Sequence, residues 1–248
     1  MRRYAIISDI HGNSLALASV LKDIKSHGIE RIINLGDSLY GPLEPVSTAE
    51  MLMQRDILSV FGNEDKLILT PGDAEPSPTL CHVRRNLEPK HIEWLREIPA
   101  TRIVDDDLFA CHATPQSDTC YFFWDVCSDG AVSRSREDMC RMAKNIGCPV
   151  ILCGHDHVPQ SVNLQKDILV VNPGSAGLPA FRDDNPYLHV MQAGSPHARY
   201  SIVSEDNGEW SAQQVMLEYD WEAAAVMAAE NGRLDWASWL RTGKASVD

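Results

Sequence analysis

Five polar residues of this chain each stand at the end of a short apolar run. Asp9, Asp37, Asn63, His112 and His155 lie within two residues of the ends of the runs at 4–8, 31–35, 57–61, 108–111 and 150–153. Short apolar runs bounded by glycine or polar residues are typical of buried strands. In open α/β sheets, ligands bind at the carboxyl ends of the strands. The sequence therefore predicts that these five side chains converge on one site.

The start of the chain has a strand–helix–strand pattern. Apolar residues recur at helical spacing between the runs at 4–8 and 31–35. Asn13 suits the N-cap of this helix and Gly28 suits its C-terminal stop. Such a unit predicts two parallel strands joined by a right-handed crossover.

The rest of the chain continues to alternate between helical and extended patterns. We predict helices at 44–55, 89–97, 134–145 and 221–240, and strands at 161–164, 168–171, 188–192 and 198–203. The strands at 161–164 and 168–171 form a hairpin around Gln165 and Lys166 in this interpretation. Residues 71–78 read as a loop, and residues 113–130 show neither period. The fold class expected from this alternation is α/β, or α+β.

The composition excludes some classes of protein. The formal net charge is −13, which argues against a broad nucleic-acid surface, because polyanion binding depends on clustered Lys and Arg. It leaves room for a small phosphorylated substrate, since bound divalent metals reverse the local sign of charge. No stretch approaches the roughly 20 apolar residues of a membrane span. The seven cysteines make no C-x-x-C pair, so we expect reduced thiols and a cytoplasmic protein.

The polar residues at the strand ends are of the types that bind divalent metals. Asp9 and His11 are two residues apart, as are His155 and His157, so each pair can face one ion. The predicted ligands are Asp9, His11, Asp37, Asn63, His112, His155 and His157. They exceed the ligand set of one tetrahedral zinc ion and suit two ions about 3.5–4 Å apart.

These residues stand in short blocks that resemble a known family. The blocks are Asp9-Ile10-His11, Gly36-Asp37, Gly62-Asn63-Glu64-Asp65, His112 and Gly154-His155-Asp156-His157. In type and order they resemble the calcineurin-like metallophosphoesterase superfamily over residues 4–175. The Asn-Pro-Gly-Ser block at 172–175 is similar to its smaller bacterial branch.

The resemblance implies a fold and a domain organisation. It implies a four-layer β-sandwich flanked by helices, with the site where strand ends meet. We expect one domain over residues 1–248, with a helical and loop cap insertion at about 66–145 and a helical end at about 220–241. The cap region carries no motif that chooses a substrate.

The resemblance also implies roles for the ligands. One metal is bound by Asp9, His11 and His157, a second by Asn63, His112 and His155, and Asp37 bridges both. The implied reaction is in-line attack on a phosphoester by a hydroxide that bridges the metals. Mixed Asp, His and Asn ligands do not select one metal; Mn²⁺ is our expectation, with Fe, Zn, Ni and Mg left open.

Catalytic and substrate-binding roles follow from the same resemblance. The expected catalytic residues are Asp37, Asn63, Glu64 and His112, and the expected substrate contacts are Asn13, Asn63, His112 and Arg182. Many family members have a histidine directly after the asparagine of the third block, where it helps to protonate the leaving group. This chain has Glu64 there, and a carboxyl group is a general acid only if its pKa is raised, for example by burial.

Several functions remain open from the sequence. The expectation is a phosphatase or phosphodiesterase acting on a small soluble phosphoester. The alternatives within the enzyme class are a nucleotidase or dinucleoside polyphosphate hydrolase, a cyclic-nucleotide phosphodiesterase and a protein phosphatase. An alternative of another class is a non-catalytic scaffold that retains the fold; loss of ligands would favour it, and all seven ligand positions are filled here. The sequence does not indicate an oligomeric state.

Overall fold

A computed structural model of the protein describes residues 1–72, 77–164 and 168–247. The strands are β1 Arg2–Ile7, β2 Arg31–Asn34, β3 Ile57–Ser59, β4 Thr101–Val104, β5 Leu108–Cys111, β6 Trp124–Cys127, β7 Gly130–Ser133, β8 Val150–Leu152, β9 Gln160–Asn163, β10 Leu169–Asn172, β11 Ala180–Asp183, β12 His189–Gln192, β13 Ala198–Asp206 and β14 Glu209–Leu217. The helices are α1 Ser14–Ser26, α2 Pro45–Met53, α3 Asn63–Leu69, α4 Pro78–Asn86, α5 Pro89–Glu97, α6 Arg136–Met142, α7 Trp221–Glu230 and α8 Leu234–Thr242.

Two five-stranded sheets form the centre of the fold. Their strand orders are β14-β13-β1-β2-β3 and β4-β5-β8-β10-β9. Strands β1, β2 and β3 are parallel to one another, as are β5, β8 and β10, while the outer strands pair antiparallel. The carboxyl ends of the parallel strands carry the predicted ligands. Each sheet therefore presents one such edge to the site.

The buried side chains of β1 show how the layers form. Tyr4 and Ile6 pack between the two sheets, and Ala5 and Ile7 pack on the opposite face with α1. Successive residues of a strand face opposite ways, so an uninterrupted apolar run requires cover on both faces. Helix α6 and Phe122 cover the far face of the second sheet. The predicted α/β fold, a four-layer sandwich flanked by helices, is confirmed.

The first strand–helix–strand unit is as the sequence predicts. Strands β1 and β2 are parallel, with Ile6 opposite Ile33. The side chain of Asn13 accepts a hydrogen bond from the N–H of Ala16 at 3.1 Å and caps α1. The helix ends before Gly28, which has a φ of 64°. An N-terminal Asn cap and a C-terminal glycine are the usual limits of a helix.

The segment predicted as a cap insertion, 66–145, divides between two parts of the fold. Strands β4 and β5, at 101–104 and 108–111, belong to the second sheet, because their apolar side chains pack between the sheets. Helices α3, α4 and α5 share a separate apolar cluster beside the first sheet. The strands at the centre of this segment are part of the sandwich, and the division into domain and insertion stays a prediction.

Several elements differ from the sequence prediction. Strands β4, β6, β7, β11 and β14 and helices α3 and α4 were not predicted from the sequence. The predicted C-terminal helix is two helices, since Gly232, with a φ of 78°, separates α7 from α8. Strands β9 and β10 pair antiparallel as predicted. The turn expected at Gln165 and Lys166 lies outside the described residues, as does the part of the 71–78 loop at 73–76.

Helix lengths bear on the membrane question. Within the described part of the chain, no helix has both the length and the apolar character that crossing a membrane requires.

Candidate metal centre

The seven predicted ligands lie together where the two sheets present their carboxyl edges. Each of the five strand-end residues directly follows, or lies within four residues of, the end of β1, β2, β3, β5 or β8. His11 and His157 follow two residues after Asp9 and His155. The structure brings all seven side chains to one place. These residues are Asp9, His11, Asp37, Asn63, His112, His155 and His157.

The first group of donor atoms is formed by Asp9, His11 and His157. The Nε2 atoms of the two histidines are 3.0 Å apart. Asp9 Oδ1 lies 3.4 Å from His157 Nε2 and 4.0 Å from His11 Nε2. All three donors lie within 4.8 Å of one another, a separation that one ion can span.

The second group is formed by Asn63, His112 and His155 together with Asp37. His112 Nε2 is 2.9 Å from Asn63 Oδ1, 3.2 Å from His155 Nδ1 and 3.3 Å from Asp37 Oδ2. Asp37 also lies within 4.8 Å of a donor atom of His11, which belongs to the first group. Asp37 therefore lies between the two groups of donors.

Backbone carbonyls fix three of the histidine rings. The Nδ1 atoms of His11, His112 and His157 lie 2.9, 2.8 and 2.6 Å from the carbonyl oxygens of Tyr40, Leu35 and Leu178. A hydrogen bond from Nδ1–H leaves the Nε2 lone pair of a neutral ring free for a metal. His155 is turned the other way: its Nδ1 faces the centre, and its Nε2 lies 3.2 Å from the Thr119 carbonyl oxygen.

Backbone strain is concentrated at the same residues. Nine non-glycine residues of the described chain have positive φ, and five of them are predicted ligands: Asp9, His11, Asp37, His155 and His157. This conformation is uncommon for residues with a side chain and persists only where the surrounding structure imposes it. The other four are Asp or Asn, types that tolerate it in turns. The strain therefore marks the ligand loops as constrained by the packing around them.

Two glycines allow the ligand loops to approach closely. A Cβ on Gly62 would lie 2.1 Å from Asp37 Oδ1, and one on Gly154 would lie 2.0 Å from Ser8 Oγ and 2.8 Å from Asp9 Oδ2. Real Cβ atoms essentially never show contacts as short as these three. Both positions therefore require glycine, and each lies directly before a predicted ligand in the sequence.

Buried polar residues hold the loops from behind. Asp65 accepts hydrogen bonds from the N–H groups of Ser38 at 3.0 Å, Leu39 at 3.4 Å and Gly62 at 3.2 Å, so it ties the loop of Asp37 to that of Asn63. Such groups set the orientation of metal ligands.

The Asn-Pro-Gly-Ser block supports the other side of the site. Ser175 Oγ donates to the Asp9 carbonyl oxygen at 2.7 Å, and Asn172 Nδ2 donates to Asp156 Oδ1 at 2.8 Å. The N–H of Val158 also donates to Asp156 Oδ1, at 2.8 Å. The hydrogen bonds of this block therefore hold the loops of Asp9 and His157 in place.

The charges of the site shift its pKa values in opposite directions. Burial raises the pKa of Asp9 and of Asp37, but the neighbouring histidines outweigh it and hold both below the ordinary value of a carboxyl group. Burial likewise opposes the charge on the histidines, but nearby carboxylates raise the pKa of His11 to about 9 and that of His112 to about 10. Burial lowers the pKa of His155 to about 4.

The residues fit a pair of divalent ions. Asp9 Oδ1 is buried and accepts no hydrogen bond from any described group, although it points at two histidines. A buried carboxylate oxygen without a donor is costly unless a cation completes it. The donor set of carboxylate, imidazole and amide oxygen is the one that divalent ions of hard or borderline character prefer.

An open cleft leads to the centre. It has a volume of about 320 Å³, and its walls include His11, Asp37, Asn63, Glu64, His155 and His157. Arg182, expected as a substrate contact, also lines it. The cleft is large enough for a small organic phosphate beside the ligands.

Sequence reasoning missed one wall of this cleft. Tyr40, Phe181, Arg233, Trp236 and Trp239 line it, and none of them was predicted as a site residue. Trp236 meets the ring of His11 edge-on, with centroids 5.7 Å apart and an interplanar angle of 81°. Arg233, Trp236 and Trp239 lie at or in the C-terminal helix α8 and do not follow a strand. The strand-end pattern could therefore not predict them, and only the three-dimensional packing places them at the cleft.

Asn13, one of the expected substrate contacts, makes its hydrogen bonds within the fold. Its Nδ2 donates to the Gly177 carbonyl oxygen at 2.8 Å and to the Tyr219 hydroxyl at 3.1 Å, and its Oδ1 caps α1. The residue is buried and is not part of the cleft wall. Both polar atoms of its side chain have partners within the fold, and its role as a substrate contact stays a prediction.

The aromatic residues after His112 are mainly structural. Phe122 and Phe123 are buried against the second sheet, and Tyr121 stacks near His155 with ring centroids 4.9 Å apart. Arg134 donates to the carbonyl oxygens of Tyr121 and Trp124 at 3.2 and 2.7 Å. Arg134 therefore fixes this loop and does not face the cleft.

A sequence model of the calcineurin-like phosphoesterase superfamily domain matches residues 2–193. The chain belongs to this superfamily. The family implies divalent metal ions, and the two ligand groups described above are where the chain has donors for them. Membership supports hydrolysis of phosphoester bonds as the general activity. The matched region ends after β12, so β13, β14, α7 and α8 lie beyond it.

Known proteins similar to this chain cover nearly its whole length. The chain is 27% identical over 250 residues to the uncharacterised protein MJ0912 of Methanocaldococcus jannaschii, with 94% of each chain covered. Its fold is similar to that of a metallophosphoesterase from Sphaerobacter thermophilus (TM-score 0.77, 22% identity, 98% and 99% of the two chains covered). It is also similar to the hypothetical protein PH1004 of Pyrococcus horikoshii (TM-score 0.70, 18% identity, 99% and 100% covered). The last two similarities show the fold.

Proposed function

We propose that this protein hydrolyses a small phosphomonoester or phosphodiester with two divalent metal ions bound by the seven converging residues. The observation that carries the proposal is the position of Asp37 between two complete groups of donors. A non-catalytic protein that had kept only the fold would not need to retain every donor. The cleft beside the centre gives a phosphate direct access to it.

The chain would divide the metal ligands between two positions. Asp9, His11 and His157 would hold one ion and Asn63, His112 and His155 the other, with Asp37 shared. When bound, such ions polarise phosphoryl oxygens and lower the pKa of coordinated water, which supplies a nucleophile at neutral pH. Mn²⁺ is the ion we propose; the mixed oxygen and nitrogen donors also admit Fe, Zn, Ni and Mg, so the assay compares all five metals.

Residues of the chain itself would orient the substrate. Arg182 and Arg233 line the cleft and can donate hydrogen bonds to phosphoryl oxygens. Leu178, Phe181 and Trp236 exclude water from one side of the cleft, which strengthens the electrostatic interactions within it. Holding the phosphate in one orientation is the main contribution that a protein makes to phosphoryl transfer.

A panel of phosphoesters tests the proposal. Purified protein is stripped of metal and supplied with Mn²⁺, Fe²⁺, Zn²⁺, Ni²⁺ or Mg²⁺, then assayed on p-nitrophenyl phosphate, bis-p-nitrophenyl phosphate, nucleotides and a phosphopeptide. We expect turnover of at least one ester that requires added metal. Asp37→Asn should lower it about a thousandfold, equal to about 4 kcal/mol of transition-state stabilisation.

The control variant changes an exposed aspartate away from the cleft. Asp129→Asn should keep wild-type turnover, since Asp129 lies in the turn between β6 and β7. Absence of metal-dependent hydrolysis on every ester would overturn the proposed function. Equal activity of the Asp37 variant and the wild type would overturn the role given to Asp37.

A further inference from the structure

The metal cleft continues into a second groove. Arg182, Arg233 and Trp239 line both the cleft at the metal ligands and a neighbouring groove of about 790 Å³. The groove is also lined by Ser238, Thr242 and Lys244. Two arginines and an indole thus stand at the junction, and a ligand bound at the metal centre can extend past them.

We propose that this groove binds a second anionic group of the substrate, so that the preferred substrates are organic phosphates carrying two phosphates. The proposal rests on the function proposed above, because it concerns the distal part of the same substrate. It adds a site that the metal ligands do not provide.

Two cationic side chains of the groove, Arg182 and Lys244, have N–H groups available to bind an anion. Arg182 makes no side-chain hydrogen bond to any described group, and its nearest carboxylate oxygen, Asp184 Oδ1, is 3.7 Å from Nε. Over residues 1–72, 77–164 and 168–247, Lys244 forms no ion pair. Guanidinium and ammonium groups that keep N–H donors available are the usual recognition elements for phosphate.

Arg233 is held in place by its neighbours. Its Nε and Nη2 atoms donate to the two carboxylate oxygens of Asp235 at 2.9 and 2.7 Å, and its guanidinium lies 5.2 Å from the centre of the Trp236 ring. A paired and stacked arginine has little freedom and keeps its remaining N–H groups in a fixed direction. Arg233 therefore forms a fixed wall at the junction.

The charge of the groove favours an anion. Arg182, Arg233 and Lys244 face two carboxylates, Asp184 and Asp235, and the second of these is taken up by Arg233. This excess of positive charge occurs in a chain whose formal net charge is −13. A neutral or cationic ligand would gain nothing from that arrangement, whereas a phosphate would.

The residues of the groove come from parts of the chain that the family shares and from parts beyond it. Arg182 lies on β11, inside the matched region 2–193. Trp239 on α8 and Lys244 after it lie beyond that region. The groove is therefore completed by the C-terminal segment of this chain, and we infer that this segment sets substrate preference while the strand-end loops bind the metals.

Synthetic diol bisphosphates test the subsite without assuming the distance to the metals. The metal-loaded protein is assayed on the bisphosphates of straight-chain diols from propanediol to octanediol and on the matching alkyl monophosphates. We expect at least one bisphosphate to exceed its monophosphate in kcat/KM by roughly tenfold, the effect of one charged hydrogen bond. The length at which this advantage peaks reports the distance between the two phosphate positions.

Variants then assign the advantage to the groove. Lys244→Glu should reduce the bisphosphate-to-monophosphate ratio of kcat/KM towards one. Arg182→Gln, at a residue that lines both the cleft and the groove, should lower kcat/KM for both esters and reduce the ratio as well. Lys25→Glu, a matched change at an exposed lysine of α1, should retain the wild-type ratio. Metal-free protein should also bind inorganic pyrophosphate more tightly than its Lys244→Glu variant in a calorimetric titration.

The outcomes separate the subsite from the proposed function. If monophosphates are hydrolysed but no bisphosphate has an advantage, or if the advantage survives both groove variants, the subsite is overturned and the phosphoesterase function stands. If no ester is hydrolysed, the proposed function fails, and pyrophosphate binding then tests the subsite alone. Weaker pyrophosphate binding by Lys244→Glu than by the wild type would support the subsite. Equal binding by the two proteins would overturn it.

Discussion

Glu64 Oε2 lies 3.2 Å from Nδ1 of His11, the ring nitrogen opposite the Nε2 that meets His157. A carboxylate oxygen of Glu64 also lies within 4.8 Å of one of Asp37. The same Nδ1 is 2.9 Å from the Tyr40 carbonyl oxygen, so one N–H stands between two acceptors. A carboxylate on the outer nitrogen of a metal-binding histidine orients the ring and increases its basicity. We infer that Glu64 positions His11 and is not the proton donor to the leaving group.

Glu64→Gln distinguishes these two roles. Burial raises the pKa of the Glu64 carboxyl group, and His11 opposes that rise, so its pKa alone does not exclude an acid. A positioning residue should affect all substrates alike: we expect kcat/KM to fall about tenfold on both p-nitrophenyl phosphate and an alkyl phosphate. Metal affinity should fall in parallel, as followed by calorimetry.

A general acid would give another pattern. Alkyl leaving groups need a proton much more than p-nitrophenolate does, so loss of an acid would slow the alkyl ester selectively. Such a selective loss, with metal affinity unchanged, would contradict the positioning role. Glu93→Gln, at an exposed glutamate of α5, serves as the matched control and should change neither quantity.

Metal uptake should release protons at neutral pH. In the metal-free protein His11 and His112, with pKa values raised to about 9 and about 10, are protonated at neutral pH, while Asp9 and Asp37 are already ionised because their pKa values are lowered. A metal binds only neutral imidazole. We therefore expect about two protons to be released per chain as both ions bind.

The same shifts set the pH dependence of metal affinity. The affinity for each ion should rise about tenfold per pH unit from neutral pH and level off as pH passes the raised histidine pKa. Calorimetric titration in buffers of different ionisation enthalpy measures the proton count directly. An affinity that does not change between neutral and mildly alkaline pH would show that both histidines are already neutral in the metal-free protein.

Asp65 should contribute to stability through its hydrogen bonds. It accepts from three backbone N–H groups, and burial raises the pKa of its carboxyl group to about 7. Asp65→Asn replaces one acceptor oxygen with an amide that faces an N–H. We expect the free energy of unfolding near neutral pH to fall by about 1–3 kcal/mol in urea titrations of the metal-free protein.

A control separates this effect from the loss of charge. Asp129→Asn removes an exposed carboxylate and should leave the free energy of unfolding within about 0.5 kcal/mol of the wild type. If Asp65→Asn were as stable as Asp129→Asn, the three backbone contacts would have no net effect on stability.

Gly62 should be essential for the site and not merely for the turn. An alanine there would place Cβ 2.1 Å from Asp37 Oδ1, so Asp37 must move from its position between the two donor groups. We expect Gly62→Ala to lose more than about 99% of turnover, since small misplacements at a reacting centre cost about a hundredfold. Gly147→Ala, where nothing lies within 4 Å of the added Cβ, should retain wild-type metal content and turnover.

The sequence predicted the ligand edge of the fold better than its cleft. The residues after β1, β2, β3, β5 and β8 were predictable because a buried parallel strand is an uninterrupted apolar run with a clear end. Strand β14 was missed because it is an edge strand with mostly exposed polar residues, such as Gln213 and Gln214, so its alternation is weak. The extended backbone there is imposed by pairing with β13.

The residues of the cleft wall could not be predicted from the sequence, because their positions depend on tertiary packing and not on a local sequence pattern. Trp236 and Trp239 lie on a short helix whose periodicity predicts only a buried face. Their proximity to His11 follows from the break at Gly232 and from the packing of α8 against α7 and Leu178. Asn13 is the opposite example. It is close to the ligands in sequence, but its side chain makes its hydrogen bonds to the backbone of Gly177 and Ala16 within the fold.

The central claim is that seven residues hold two metal ions that share Asp37. Anomalous diffraction at the manganese edge from crystals grown with Mn²⁺ measures this directly. We predict two anomalous peaks about 3.5–4 Å apart, one among Asp9, His11 and His157 and one among Asn63, His112 and His155, both within bonding distance of Asp37. A single peak, or peaks that do not contact Asp37, would contradict the claim.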